Sequence, residues 1–246
     1  MQLPYTSANL MFWFDPREKF IIRDENQLVS SAYNRIDGTV IVQPNSLLKP
    51  QWSSQAINGT PGLVMTGSQY MTYHSLAFRP FLNGIVKSFA ITFVMQMTGP
   101  QTGGGAAGSP LTIKNNNSGA NGSIINIVID ATGSLGIRGV FQSSTGATSV
   151  LIKDTSQTDF KAKVVTFYFD GTSTFLRVNG IQVAASSSSI NNIEPLICSS
   201  FVIGGYEGSP GNIFNRLTGN IGHIVIYDAP ASIVDVENVL RGWSNI

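Results

Sequence analysis

Acidic and histidine side chains are the groups in this chain that could do covalent chemistry, and their spacing argues against it. A retaining glycosidase needs two carboxylates roughly 5 Å apart, which an acidic set at i, i+2 and i+5 on one strand can supply. None of the 14 acidic residues forms such a set within a strand-like run. The two histidines, His74 and His223, come without a G-x-S-x-G turn, so a Ser-His-Asp site is also unsupported. We therefore predict no catalytic residues and no enzyme.

A glycine-rich run and scattered acids give little support to a cofactor or a metal. Gly103, Gly105 and Gly108 satisfy G-x-G-x-x-G, but another strand-like run follows where a phosphate cradle needs a helix N-terminus. Calcium requires several converging oxygens, usually including carboxylates. Asp170 and Asp228 are isolated and fit turns better. The sequence therefore predicts no cofactor and no metal site.

The best candidate for a binding site is the loop YEGSPGNIFN, near the end of the chain. Sugar recognition uses aromatic platforms for apolar sugar faces, together with polar groups for the hydroxyls. The predicted ligand-binding residues in this loop are Tyr206, Glu207, Asn212, Phe214 and Asn215. The alternative is a surface turn with its aromatic side chains packed beneath it, and the sequence leaves both open.

Two further features carry weaker functional signals. A second group with sugar-binding chemistry lies earlier in the chain and comprises Asn34, Asp37, Trp52, Tyr70, Tyr73 and His74. His223 alternates with the apolar residues Ile221 and Val225 along a strand-like run. We interpret it as a packed histidine, because perturbed histidines are often structural.

The elements that must position these residues are mostly strands. Residues 88–97 alternate between a fully apolar face and a half-polar face, as in an antiparallel sheet with one core side. Residues 163–184 predict three strands joined at Asp170-Gly171 and Asn179-Gly180, because Asn and Gly tolerate the positive φ of tight hairpins. Roughly ten or more short strands at this spacing predict a sandwich or a barrel.

Pro230 ends the last predicted strand, and the sequence predicts a short helix after it. Ser232 can cap this helix, with Asp235 three residues further on as in a capping box. Its apolar stripe consists of Val236, Val239, Leu240 and Trp243. We expect the helix to cover an open sheet edge or the mouth of the sandwich.

The bulk composition excludes several classes of partner. A net charge of +1 with scattered charges gives no footprint for nucleic acid or an anionic membrane. There is no 18-residue apolar run and no secretory signal peptide, so neither a transmembrane helix nor export is expected. The single cysteine, Cys198, rules out an internal disulfide and argues against a zinc cluster.

Several stretches in order resemble a known superfamily: LMFWFDP, INGTPGLVMTGSQYM, FYFDGTSTFLRVNGIQVA and LTGNIGHIVIYDAPAS. They are similar to the concanavalin A-like, laminin-G-like jelly-roll superfamily, especially its stand-alone bacterial surface and bacteriophage virion modules. The resemblance implies an all-β, concanavalin A-like jelly-roll β-sandwich of two antiparallel sheets with a short C-terminal helix, as a single domain over residues 1–246. The family often has an acid where this chain has His223, so no role of that acid carries over.

We expect a non-enzymatic virion structural, decoration or tail-associated protein of a bacteriophage. The chain starts at its own Met, lacks an export signal and carries only 12% charged residues, which fits a protein made in the host cytoplasm that works on the virion. The expected partners are other virion proteins, further copies of itself and host-surface glycans. One alternative is a carbohydrate-binding, lectin-like module, and another is an unusual glycoside hydrolase.

Overall fold

Two antiparallel β-sheets, stacked face to face, make up most of the protein in its computed structural model. The structure describes residues 10–73, 88–99, 107–114, 123–130, 136–142, 149–155, 159–187, 200–209, 212–227 and 232–246. Within these ranges sheet A has eight strands and sheet B has nine, and a separate two-stranded hairpin and one α-helix complete the fold. No helix in this part of the chain is long and apolar enough to cross a membrane.

Both sheets combine strands from distant parts of the chain. Sheet A contains β1 (Leu10–Phe14), β5 (Gln51–Ile57), β6 (Thr60–Thr66), β8 (Phe89–Met97), β13 (Lys163–Phe169), β14 (Thr174–Val178), β15 (Ile181–Ser186) and β19 (Thr218–Tyr227). Sheet B contains β2 (Ile21–Arg23), β3 (Val29–Tyr33), β4 (Val40–Val42), β7 (Met71–Tyr73), β9 (Ala107–Lys114), β10 (Ser123–Asp130), β11 (Gly136–Gln142), β12 (Ser149–Asp154) and β16 (Ser200–Ile203). The hairpin consists of β17 (Tyr206–Ser209) and β18 (Asn212–Phe214), and the helix α1 spans Ile233–Trp243. Two 3₁₀ turns, Glu18–Phe20 and Ser46–Leu48, lie in the connections.

The order of strands explains where the core sits. Sheet A runs β15-β14-β13-β8-β19-β6-β5, with β1 also paired to β19, and sheet B runs β12-β11-β10-β9-β16-β7-β4-β3-β2. Apolar side chains from both sheets fill the space between them, and the Phe12 and Phe201 rings meet there with centroids 4.8 Å apart. The predicted sandwich of two antiparallel sheets is confirmed, whereas the assignment of residues 1–246 to one domain stays a prediction.

The hairpins predicted within residues 163–184 are confirmed. β13, β14 and β15 are consecutive antiparallel neighbours. Asn179 and Gly180 have φ of 51° and 86° in the second turn, as its sequence predicts. In the first turn, the Asp170 carboxylate accepts hydrogen bonds from the backbone N–H groups of Thr172 and Ser173, each at 2.8 Å.

The half-polar face of β8 is also buried along most of the strand. Ala90 and Val94 lie on the outer side of sheet A, where α1 covers them. Thr92 between them is fully buried, and its hydroxyl forms hydrogen bonds of 3.0 Å with the hydroxyls of Thr166 and Tyr227. A buried threonine is tolerated here because its polar atom has partners.

The terminal helix has the predicted stripe but neither the predicted cap nor the predicted location. Ser232 occupies the N-cap position, yet its side chain makes no capping hydrogen bond. The helix lies on the outer face of sheet A, not over an edge or a mouth of the sandwich. Val236 and Leu240 are buried against that face, and Val239 and Trp243 are partly buried. The outer face of the central strands is also apolar, and the stripe of the helix packs against it.

Candidate functional site

The predicted binding loop forms the small hairpin of β17 and β18. Tyr206 pairs with Phe214, and Glu207 pairs with Ile213. Side chains directly opposite each other in an antiparallel pair point to the same side, so the hairpin has two distinct faces. Glu207 and Ile213 are buried, whereas Tyr206 is half-buried and Phe214 is 49% exposed. The exposed side carries the two aromatic residues.

Hydrogen bonds hold the hairpin against β9 of sheet B. The backbone N–H of Ser109 donates to the carbonyl oxygen of Asn215 at 2.7 Å, and the Thr112 hydroxyl donates to the carbonyl oxygen of Gly205 at 3.0 Å. The two ends of the hairpin are joined by a bond from the N–H of Leu217 to the carbonyl of Gly204, also 3.0 Å. The base is therefore fixed to the sandwich.

Two consecutive glycines allow the hairpin to dock. Gly204 has a φ of +83°, and a Cβ there would lie 2.2 Å from the Met65 sulfur. A Cβ on Gly205 would lie 2.4 Å from Cγ2 of Ile213. Only glycine fits both the left-handed backbone at the first position and the close approach of the buried isoleucine at the second. These glycines serve the packing of the hairpin and not a ligand directly.

Glu207 lies beneath the hairpin, although the sequence placed it among the ligand-binding residues. It is 2% exposed, and its carboxylate accepts a hydrogen bond from the Ser200 hydroxyl. A group in this position supports the hairpin from within and does not face solvent. Sequence reasoning missed this because the residue's direction depends on the pairing register of β17 and β18.

The other four predicted residues lie on or beside the exposed side. Asn212 is exposed, and Asn215 is half-buried with a φ of 46°. With Tyr206 and Phe214 they form what we call the hairpin face. It combines aromatic rings with amide groups, which can stack on the apolar face of a ring and exchange hydrogen bonds with hydroxyl groups.

Among the described members of the second sequence group, Tyr70 lies next to the end of the hairpin. Tyr70 lies under the guanidinium of Arg216, whose Cζ is 5.5 Å from the ring centroid. Arg216 immediately follows the hairpin face and was not among the residues selected from the sequence. The signal available was its position next to the aromatic loop, but sequence spacing alone could not bring Tyr70 to it.

The remaining members of that group are dispersed and mostly structural. The Trp52 indole N–H donates to the carbonyl oxygen of Pro16 at 2.7 Å, and the Asn34 side-chain oxygen accepts from the N–H of Trp13 at 2.9 Å. The Asn34 amide also donates to the Asp37 carboxylate, at 2.7 Å. Tyr73 belongs to β7 in sheet B, and its partner across the pairing with β16 is Phe201. His74 lies outside the described residues.

His223 is packed inside the protein, on the outer side of sheet A. The Trp13 indole N–H donates to its Nδ1 at 3.4 Å, and the Trp243 ring lies 5.0 Å away between centroids. Burial lowers the pKa of His223 to about 4, so the imidazole is neutral near pH 7. A neutral ring accepting a hydrogen bond from tryptophan fits the interpretation of a packed histidine.

An acid between two arginines lies beside His223, and sequence reasoning missed this cluster. Asp15 binds Arg17 and Arg35, the latter through an Nη1 to oxygen distance of 2.9 Å. Burial raises the pKa of the Asp15 carboxyl, but hydrogen bonds from Arg17 and the charges of His223 and Arg17 outweigh that effect and lower it from its ordinary value. The Arg35 guanidinium stacks on Trp13, with Cζ 3.7 Å from the ring centroid. The cluster is internally neutralised and structural in character.

The described residues do not assemble a site for a metal ion. Within these ranges no three His, Cys, Asp or Glu side chains come together in a way that could hold one. Asp170 has its carboxylate occupied by its own turn, and Asp228 lies outside the described residues. The chemistry that the site offers is therefore that of aromatic rings, amides and one guanidinium.

Comparison with known proteins gives similarity in structure alone. No family model matches the chain, and no curated protein matches its sequence. CBM40 of the Ruminococcus gnavus IT-sialidase aligns at 15% identity and a TM-score of 0.51, over 63% of this chain and 83% of that one. The Trypanosoma rangeli sialidase aligns at 13% identity and a TM-score of 0.63, over 98% of this chain and 33% of that one.

A third similar structure is the binding domain of botulinum neurotoxin DC in complex with SialylT, at 10% identity and a TM-score of 0.63. The alignment covers 96% of this chain and 52% of that one, so the chain spans about half the toxin domain and a third of the sialidase. At these identities the likeness shows the fold alone. It confirms the predicted all-β, jelly-roll sandwich, and these neighbours carry nothing specific to a bacteriophage.

Proposed function

We propose that this protein is a non-catalytic, lectin-like module that binds a carbohydrate on the hairpin face. The observation that carries this proposal is the pairing of Tyr206 with Phe214 on the exposed side of a hairpin whose other side is anchored in the sandwich. Two aromatic rings at paired positions offer an apolar surface to a sugar ring. Asn212 and Asn215 supply amide groups next to it for the sugar hydroxyls.

The exposure of Phe214 has a physical cost that a ligand would remove. Single exposed apolar residues are common, so Phe214 alone would mean little. Here it lies opposite Tyr206, and the backbone beneath the pair is fixed by the hydrogen bonds from Ser109 and Thr112. A platform that is already rigid loses little conformational entropy on binding, which favours affinity from a small contact area.

The fold neighbours support a binding role over a catalytic one. Their names include a sialidase CBM40 and toxin binding domains, one of them in complex with SialylT. Three buried acids of this chain are bonded to other residues of the fold. Asp15 binds arginines, Glu207 accepts a hydrogen bond from Ser200, and Glu237 binds Arg177. Acids held in this way are poorly placed to protonate or attack a glycosidic bond.

The test is a glycan array followed by calorimetry on the glycans that bind. We expect Phe214→Ala and Tyr206→Ala each to weaken binding about tenfold or more, because each removes one ring of the platform. Phe160→Ala is the matched control, since Phe160 is 45% exposed outside the hairpin. Equal affinities for the Phe214→Ala and Phe160→Ala proteins would exclude the hairpin face as the site.

The location on a bacteriophage virion, with other virion proteins or further copies of the chain as partners, stays a prediction from composition. Neither the strand order nor the hairpin bears on it. A glycan-binding module on a virion would combine this prediction with the binding role. Mass spectrometry of purified bacteriophage particles tests this location. If the protein is absent from every particle preparation, the prediction of a virion location is wrong.

A further inference from the structure

Arg216 is a cation directly after the hairpin face, and its side chain makes no hydrogen bond or ion pair with the described residues. Its Nε is buried and makes no hydrogen bond, and its guanidinium lies over the Tyr70 ring, with Cζ 5.5 Å from the centroid. Burying a guanidinium N–H without a partner is costly, and an unsatisfied group of this kind calls for an explanation.

The other arginines whose side chains the structure describes all have polar partners. Arg17 and Arg35 bind Asp15, and Arg23 binds Glu18. Arg177 binds Glu237, and Arg241 donates to the carbonyl oxygen of Asn179 at 2.9 Å. Arg216 thus differs from every comparable arginine in the described part of the chain.

The surroundings of Arg216 leave its charge without compensation on the hairpin. The segment YEGSPGNIFNR, residues 206–216, contains two charged residues, Glu207 and Arg216. Glu207 is buried, so the half-buried Arg216 is the one charged residue of this segment that is not buried. Arg216 follows Phe214 by two residues, which places their Cα atoms at most about 7 Å apart, within the span of one sugar ring and its substituents.

We infer that Arg216 binds the carboxylate of an acidic sugar while the ring of that sugar rests on the hairpin face. This inference rests on the proposed function, and it adds the class of glycan. The Tyr70 ring holds the guanidinium by a cation–π contact. That contact leaves the terminal Nη1 and Nη2 groups, which unlike Nε are not buried, to bind a planar carboxylate with two parallel hydrogen bonds.

The experiment compares versions of one oligosaccharide that end in a sialic acid, a uronic acid, a sulfated sugar or a neutral sugar. Binding to the full chain is measured by calorimetry. We expect the carboxylated ligands to bind about 10- to 100-fold more tightly than the neutral one, as charge-assisted hydrogen bonds predict. Arg216→Gln removes that preference and keeps the neutral affinity, whereas Phe214→Ala weakens all ligands.

Two further variants make the result specific. Arg23→Gln is the matched control, because Arg23 also stacks on an aromatic ring, with Cζ 4.0 Å from the Trp52 centroid. It should leave the preference unchanged. Arg216→Lys keeps the charge but loses the forked geometry, so it should retain a reduced preference. It also serves as the second variant if Arg216→Gln fails to fold.

The outcomes separate this inference from the proposed function. Equal binding of neutral and carboxylated ligands, or an unchanged preference in Arg216→Gln, overturns the role of Arg216 while the hairpin face remains a sugar site. A preference for the sulfated ligand over both carboxylated ligands overturns the carboxylate assignment. No binding of any ligand in this series or on the glycan array overturns the proposed function itself.

Discussion

At the scale of single residues, several of the few charged side chains are buried and paired inside the fold. Only 12% of residues are charged, yet Asp15 engages two arginines and His223 lies buried beside them. An isolated buried carboxylate would be strongly destabilising, and two guanidinium groups offset that cost. The adjacent stack of Trp13 on Trp243, with centroids 5.8 Å apart, connects this cluster to α1.

The buried His223 predicts a loss of stability in mild acid. Its pKa is lowered from 6.5 to about 4 in the folded protein, because burial disfavours the charged imidazole. The unfolded chain therefore takes up this proton first, so stability is full above pH 6.5 and falls as the pH drops from 6.5 towards 4. The loss amounts to at most about 3 kcal/mol and is measured by denaturant unfolding at several pH values.

The control for this prediction is His223→Gln, whose amide oxygen can still accept the hydrogen bond from Trp13. Its unfolding free energy should lose that part of the pH dependence. The pKa of the neighbouring Asp15 is lowered from its ordinary value, so most of its contribution is lost in stronger acid than that of His223. The same slope in both proteins between pH 6.5 and 4 would contradict the assignment.

At the scale of elements, the hairpin of β17 and β18 depends on one close approach, between Gly205 at its start and Ile213 in β18. Ile213 is 6% exposed and packs against Gly205 and towards Val202 of β16. The exposed side can present Tyr206 and Phe214 only while this buried side stays docked. Function on one face of the hairpin is thus coupled to packing on the other.

Gly205→Ala should undock the hairpin. The added Cβ would lie 2.4 Å from the Ile213 side chain, which is branched at Cβ and cannot easily rotate away. We expect a loss of about 1–3 kcal/mol in unfolding free energy, typical of overpacking, with weaker glycan binding as the platform shifts. Chemical denaturation and calorimetry measure the two effects.

The matched control replaces a glycine that has free space around it. Gly242 lies in α1, and a Cβ there would meet nothing within 4 Å. Gly242→Ala should therefore stabilise the protein by about 0.5–1 kcal/mol through helix propensity, without any effect on glycan binding. If both alanine variants behave alike, the close contact at Gly205 is not what docks the hairpin.

At the scale of the whole molecule, the sequence predicts what is local and misses what is long-range. The alternation in residues 88–97 and the turns at Asp170-Gly171 and Asn179-Gly180 predict strands and hairpins, because those signals lie within a few residues. The order of strands in the sheets, the direction of Glu207 and the meeting of Arg216 with Tyr70 depend on contacts between distant segments. No local pattern contains that information.

The position of the helix is the clearest long-range case. Helical spacing predicts the apolar stripe of Val236 and Leu240, but it does not predict which surface the stripe covers. Glu237 is 1% exposed and forms an ion pair with Arg177 of β14, so a residue that reads as solvent-facing in fact helps to attach the helix to the sheet. The sandwich therefore behaves as three layers in which α1 is the third.

Removal of this third layer should destabilise the whole protein. A chain that ends at residue 231 leaves the outer face of sheet A uncovered, including Val94 and the aromatic ring of Tyr227, which α1 buries. A contiguous apolar patch on a central sheet favours association between molecules. We expect the shortened chain to self-associate and to bind a hydrophobic dye, measured by size-exclusion chromatography and fluorescence.

Single substitutions in α1 decide whether this effect comes from the buried stripe or from the shorter chain. Leu240→Ala, at a fully buried position, should cost about 2–5 kcal/mol in unfolding free energy. Val234→Ala, at a position 54% exposed in the same helix, should change it by about 0.5 kcal/mol or less. Because both variants keep the full length, equal stabilities would mean that α1 does not act as the cover of sheet A.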